Sequence, residues 1–348
     1  MRACRRAKFK NSVFAVCVMC LLIISIHDFL QLNISPVQYD DIQTFPKYKF
    51  GFFFPLEIDI QKIVEQKIAN NTEPDYAPIN RHPFKYIHRP LDCSFTASSH
   101  RRSNFDFGPK LLILVKSAVK NDRLRMAIRM SWGRIKKPNV KVVFLVATSP
   151  DSSEFISLES QSYRDIVQED FVDNYSNNTY KTIMGYNWGV QYCSNADFFL
   201  FVDDDHFVDV SKVLAYAQSI PMNERKTLFR GRKVVSGTPS RSDSKWIISK
   251  VDFPFHLFPP YLAGGAFLTS YSCAQRFALA FPYVDFFWID DVYLGIVANK
   301  LNITAVDAQP FFTNEENPSL DKGFFSHFNN HNADLMIKAW QRSKDKYL

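Results

Sequence analysis

The sequence predicts an α/β fold, a parallel or mixed sheet with helices on both faces. Two observations carry this. The uninterrupted apolar runs LLILV at 111–115 and FFLFV at 198–202 suit strands buried on both faces rather than half-exposed ones. Between them strand-like and helix-like stretches alternate, and that alternation implies right-handed crossovers within one sheet.

Organised sequence starts at Lys110. After the strand at 111–115 come Lys116-Ser117 and a helix from about Asp122 to Trp132, then a strand at 142–147. A helix at 152–160 precedes strand-like Asp165 to Val167. Residues 178–193 are helical in pattern, with Asn178 or Thr179 able to cap them, and they feed the strand at 198. Further on, a helix is expected at 210–218, strands at 227–235 and 246–249, and a helix at 292–301. Pro259-Pro260-Tyr261 leads into Gly264-Gly265-Ala266-Phe267, where adjacent glycines either let the backbone pass close to a ligand or simply turn it.

Hydrophobic content of 46% with 33 Phe in 348 residues supports a sizeable core and excludes a mainly disordered chain. The net charge of +7 owes five units to Arg2, Arg5, Arg6, Lys8 and Lys10, which leaves +2 for the rest. A nucleic-acid partner is therefore not expected. Behind this basic tail at 1–10, Val13 to Ile26 is apolar except for Ser25. With no small-x-small cleavage site after Ile26, an uncleaved signal anchor at 11–30 is preferred over a cleaved peptide, and the positive-inside rule places the remainder in the lumen.

Luminal placement agrees with N-glycosylation triplets at Asn33, Asn70, Asn177 and Asn302. Cys93, Cys193 and Cys273 remain beyond the tail and anchor, enough for one disulfide and one odd thiol, with the pairing open. Residues 31–108 are proline-rich and poorly periodic, apart from a short helix at 62–69. They read as a stem carrying a catalytic domain at 109–348.

Chemistry concentrates at the end of the 198–202 strand, where Asp203, Asp204, Asp205 and His206 follow one another. The carboxyl ends of buried strands open into the ligand crevice of α/β sheets. On an extended turn Asp203 and Asp205 share a side, and two converging carboxylates invite a hard divalent cation. The plainer reading is a solvated acidic turn. A second pair, Asp290-Asp291, heads the helix at 292–301, where carboxylates often serve only as dipole caps.

Five blocks in order, at 111–133, 163–182, 198–205, 245–270 and 289–303, resemble the β1,3-glycosyltransferases of the galactosyltransferase type. Those are Golgi type II membrane enzymes with a GT-A fold, a Rossmann-like nucleotide-sugar-binding sheet. VKSAV at 115–119, NNTYKT at 177–182, LFVDDD at 200–205 and DDVYLGIVA at 290–298 are most similar to the brainiac-like N-acetylhexosaminyltransferases of glycosphingolipid synthesis. Leu124 departs from the family pattern, which usually has the first of two adjacent arginines there, so only Arg125 and Arg129 carry over.

The resemblance implies a UDP-sugar donor, a glycolipid acceptor and Mn²⁺ held by Asp203, Asp205 and His327, with His206 and His331 as competitors for the imidazole. Asp203 and Lys181 would also face the donor. Arg125 and Arg129, one helical turn apart, either hold its phosphates or pair with carboxylates to fix their helix. Asp291 is the expected base for the acceptor hydroxyl, with Asp290 beside it. Trp246 and Tyr261 either stack on a sugar or belong to the core. A second copy or other Golgi transferases are expected partners. Two alternatives remain: galactose as the donor sugar, or a non-catalytic luminal lectin or partner protein that keeps the fold.

Overall fold

The computed structural model describes residues 58–345 except 72–73, 92, 94, 96–107, 136, 151–152, 243–244, 312–323 and 328–331. The tail, the expected anchor at 11–30, Asn33 and His331 lie outside them. Among the described residues no helix is long and apolar enough to cross a membrane.

The elements follow the apolar pattern closely through the first half. They are β2 Leu111–Lys116, α2 Asp122–Met130, β3 Val140–Thr148, α3 Ser153–Tyr163, β4 Ile166–Val172, α4 Asn178–Tyr192 and β5 Phe198–Asp203. Each of the six residues of β2 is buried, because alternate side chains feed two separate cores on opposite faces of the sheet: Leu112 and Leu114 on one, Leu111, Ile113 and Val115 on the other. The second half holds β6 His206–Val208, α5 Val210–Ser219, β7 Phe229–Val234, β8 Tyr261–Ser270, α6 Tyr271–Ala280, α7 Asp290–Lys300, β9 Val306–Asp307, β10 Phe325–His327 and α8 Ala333–Asp345.

One eight-stranded sheet runs in the order β1-β4-β3-β2-β5-β8-β7-β9, where β1 is Tyr86–His88. Its centre, β4-β3-β2-β5, is parallel, and β8 turns antiparallel against both β5 and β7. A separate two-stranded ribbon joins β6 to β10.

Three readings are corrected. Residues 246–249 are not a strand; a single bridge joins Ser240 to Ile247. The Gly264-Gly265 stretch is no turn but the middle of the ten-residue β8. The third correction concerns the stem at 31–108, whose described part is folded onto the sheet. Helix α1, Ile60–Asn70, buries Ile60, Ile63 and Val64, and Asp59 caps it by accepting from Lys62 N at 2.9 Å. Arg276 on α6 donates to Glu65 at 2.9 Å. Strand β1 pairs with the edge of β4, and Cys93 is disulfide-bonded to Cys193 at the end of α4, leaving Cys273 buried and free.

Candidate active site

The chain lays down β2, β3 and β4 outward in one direction and returns to β5 on the other side of β2. Strand order reverses between β2 and β5, and a crevice opens at such a point outside the strands' carboxyl ends. The two ends are in register, Lys116 opposite Asp203.

From there the three carboxylates diverge. Asp203 Oδ1 lies 3.1 Å from Lys116 Nζ, and its side chain is 37% exposed to the crevice. Asp204 turns inward, where Asn121 Nδ2 donates to it at 3.0 Å. Asp205 sits between two imidazoles: His206 Nδ1 is 2.6 Å from its Oδ1 and His327 Nε2 is 3.1 Å from its Oδ2. Those histidines are register partners in the β6–β10 ribbon, with ring centroids 4.9 Å apart. Burial opposes ionisation of Asp205, but the imidazoles outweigh it and bring the carboxyl down to about 2. Depth in the cleft instead raises Asp203, with Lys116 opposing and Asp205 reinforcing the shift.

Asp290 and Asp291 reach the same crevice from the head of α7. Asp290 Oδ2 accepts from Lys116 Nζ at 2.8 Å and from Thr182 Oγ1 at 3.0 Å. Although burial disfavours its charge, Lys116 and these bonds hold it below the ordinary carboxylate range. Asp291 accepts from its neighbour's backbone, Val292 N, at 2.7 Å and from Gly264 N at 3.2 Å. Burial first, and then the negative charge of Asp290, push Asp291 up to about 7. Lys116 also donates to Gly264 O at 3.2 Å, so one ammonium ties together β5, β8 and α7. Burial would lower Lys116, but Asp203 and Asp290 outweigh it and keep the amine cationic.

The paired glycines explain how these groups approach. A Cβ on Gly265 would lie 2.9 Å from His206 Nε2, and one on Gly264 would lie 3.4 Å from Asp291 Cβ. The backbone of β8 thus passes close to the imidazole with no room for a side chain at Gly265, whereas a Cβ at Gly264 would meet Asp291 in ordinary contact.

Two cavities meet at Lys116, Asp203, Tyr175 and Asn178. One, of about 730 Å³, runs under loop 117–121 and includes Asp173, Lys181, Lys245 and Asp203 to Asp205. The other, of about 400 Å³, includes Trp246, Phe258, Tyr261, Gly264, Gly265, Asp290 and Asp291. Trp246 Nε1 donates to Tyr175 OH at 2.8 Å across their common rim, with Lys245 Nζ above both rings. Lys181 is buried, its Nζ donating to Ser117 O and Asp173 Oδ1 at 2.9 Å each, so it shapes the floor of the larger cavity.

As ligands of the donor, Arg125 and Arg129 are not placed at the crevice. Arg125 is fully buried; its guanidinium donates to Glu159 twice, at 2.9 and 2.7 Å, and to Ala118 O and Val119 O. Arg129 pairs with Glu159 and Asp165. The pair braces helix and loop 117–119 from behind, the carboxylate-pairing alternative of the sequence reading. Conversely, Lys116 and Thr182 went unread as site residues. The available signal was position: Lys116 ends an apolar run as Asp203 does.

Donor chemistry suits a divalent cation. Asp203, Asp205 and His206 offer ligand atoms all within 4.8 Å of one another, and His327 adjoins Asp205. Two carboxylates with imidazole match an ion such as Mn²⁺.

A family model described as galactosyltransferase matches residues 123–309. This chain belongs to the galactosyltransferase family. It is 34% identical over 259 residues to "Beta-1,3-galactosyltransferase brn" of Drosophila melanogaster, covering 73% of this chain and 78% of that protein. It is 33% identical over 214 residues to "Beta-1,3-galactosyltransferase 5" of Homo sapiens, covering 59% and 68%. Against "Lactosylceramide 1,3-N-acetyl-beta-D-glucosaminyltransferase B" of Danio rerio it is 32% identical over 219 residues, covering 59% and 57%. Among solved structures, "WbbM bifunctional glycosytransferase apo structure" overlaps 70% of this chain and 52% of that one with a TM-score of 0.39 at 12% identity. As a family member the chain is an enzyme, a UDP-sugar-dependent β1,3-glycosyltransferase.

Proposed function

We propose that the chain is a metal-dependent, inverting transferase that moves an N-acetylhexosamine, GlcNAc or GalNAc, in β1,3 linkage to a mannose or galactose of a glycosphingolipid. The observation that carries this is the shared wall of the two cavities. Asp203 and Asp205 open onto the larger one and Asp291 onto the smaller, with Asp203 and Lys116 between them. A donor in the first cavity and an acceptor in the second would meet at that wall.

Asp203, Asp205 and an imidazole, His327 or His206, would hold Mn²⁺, whose charge offsets that growing on the UDP leaving group. Asp291 takes the proton from the acceptor 3-hydroxyl, its own orientation fixed by Val292 N and Gly264 N. Asp290, kept ionised by Lys116 and Thr182, binds acceptor hydroxyls and holds its neighbour's proton affinity up. Tyr261, Phe258 and Trp246 give the acceptor cavity apolar walls for a sugar face. The segment at 11–30 would anchor the enzyme in the Golgi membrane with its domain in the lumen, alongside a second copy or other transferases.

The printed names of the Drosophila and human relatives favour a second reading, galactose as donor sugar; that of the Danio relative favours GlcNAc and a lipid acceptor. An array of UDP-GlcNAc, UDP-GalNAc and UDP-Gal against β-mannoside and β-galactoside glycolipids, with Mn²⁺ or chelator, tests both. The main reading expects Mn²⁺-dependent transfer of an N-acetylhexosamine. Transfer of galactose alone replaces it with the second, and UDP release without any glycosylated product overturns the transferase assignment.

A further inference from the structure

The loop joining β7 to β8 has an inner and an outer side. Inside, Ile248, Phe253 and Phe258 are buried in the core beneath the sheet. Arg241 pins the loop by donating to the carbonyl oxygens of Ile248 at 2.8 Å and of Phe253 and Phe255 at 2.9 Å. Outside, Trp246, Ile247 and Val251 are 44%, 52% and 89% exposed. Val251 stands in a tight turn that Ser249 closes, its Oγ donating to Asp252 Oδ2 at 2.6 Å and accepting from Asp252 N at 3.0 Å. Lys245 and Lys250 flank these apolar side chains and are exposed, and the one carboxylate of 245–252, Asp252, is taken up by Ser249.

We propose that this turn, residues 245–252, is a lipid-surface contact that sets the acceptor cavity against the membrane carrying the acceptor. The proposal rests on the glycolipid reading of the acceptor. Aliphatic side chains beside a tryptophan and a lysine, on backbone that is already fixed, match the boundary between headgroups and acyl chains: Ile247 and Val251 enter it, the Lys250 ammonium meets phosphates, and Trp246, held by Tyr175 and Lys245, stays at headgroup level. Three apolar side chains are far fewer than the roughly 20–30 residues a stable protein partner engages on each side. Location decides in the same direction. Trp246 belongs both to this turn and to the lining of the cavity that holds Asp291, so a bilayer touching the turn presents its headgroup sugars at that cavity's rim.

The test uses the full chain and an Ile247→Ser/Val251→Ser variant; neither residue lines either of the two cavities at Lys116. Transfer is measured to one glycan in two forms, as glycolipid in phosphatidylcholine/phosphatidylserine vesicles and as a water-soluble glycoside. Because the segment at 11–30 would hold both chains on vesicles alike and contains no tryptophan, contact by the turn is followed by quenching of tryptophan fluorescence with brominated phosphatidylcholine. The expected result is about a tenfold rise in KM for the vesicle-held acceptor, unchanged kcat and KM for the soluble one, and weaker quenching. Equal loss on both forms overturns the proposal, since the turn then only shapes the cavity. Unchanged transfer and quenching also overturn it and leave the turn to a protein partner. Should wild-type chain glycosylate neither form, the function reading fails separately, while quenching of wild type and variant still decides the lipid contact.

Discussion

Asp291 shows how one carboxylate acquires a role from its surroundings. Its site raises the pKa from 3.8 to about 7, through burial and then Asp290. A base works only when ionised, so kcat/KM for the acceptor should fall as pH drops through about 7. Asp291→Asn should lower kcat by roughly 10²–10⁴-fold and abolish that limb of the profile. The same shift has a stability sign. A folded pKa above the unfolded one means that ionisation costs stability as pH rises from 3.8 to about 7, so the Asn variant should melt at or above wild type at pH 8 and gain less or nothing in acid. An Asn variant with wild-type kcat would remove Asp291 from the chemistry. Arg125 teaches the opposite lesson. Its spacing from Arg129 gave a shared helix face but not where that face points, which depends on Glu159 far along the chain. Because Arg125 is sealed from solvent with that partner, Arg125→Met should cost about 3–5 kcal/mol of stability in urea titration, with donor KM little changed in the folded fraction.

At the scale of elements, local pattern was enough where a strand is an unbroken apolar run, as in β2 and β5. It failed for β8, because two glycines inside a ten-residue strand break the apolar signal and look like a turn. For Gly265 the reason is a long-range packing demand from His206, which no local pattern records. Gly265→Ala should therefore cut transfer strongly, while Gly264→Ala, where a Cβ meets only ordinary contacts, should cut it less. The β6–β10 ribbon is similar. FFSHFNN gave a histidine, but only the pairing of Phe325–His327 with His206–Val208 brings it to Asp205. Both histidines touch that carboxylate, yet His206 is 4% exposed and packed against Gly265, whereas the His327 side chain is 26% exposed. His327→Ala should raise the Mn²⁺ concentration for half-maximal activity about tenfold with a small change in melting temperature. For His206→Ala the larger loss should be in thermal stability. Identical Mn²⁺ titrations for wild type and His327→Ala would exclude His327 as a ligand.

For the whole molecule, the parallel centre follows from the alternation of strands and helices, but the reversal between β2 and β5 that places the acidic turn in a crevice appears only in the strand order of the folded sheet. The lower boundary of the domain was not legible, because prolines and weak periodicity describe α1 and β1 as poorly as they would a spacer. What holds that segment is distant: β4 for β1, Arg276 for Glu65, Cys193 for Cys93. A chain begun at Lys110 would lose all three and leave β4 as a bare edge. The disulfide alone is worth about 2–5 kcal/mol, a large part of the roughly 5–15 kcal/mol that holds a domain together. Such a chain should be poorly soluble and melt well below one begun at Ile58, and reduction should bring the longer chain part of the way down. If both chains unfold at the same temperature with the same transfer activity, residues 58–95 contribute nothing to the domain and the stem extends to residue 108, as its prolines and weak periodicity imply.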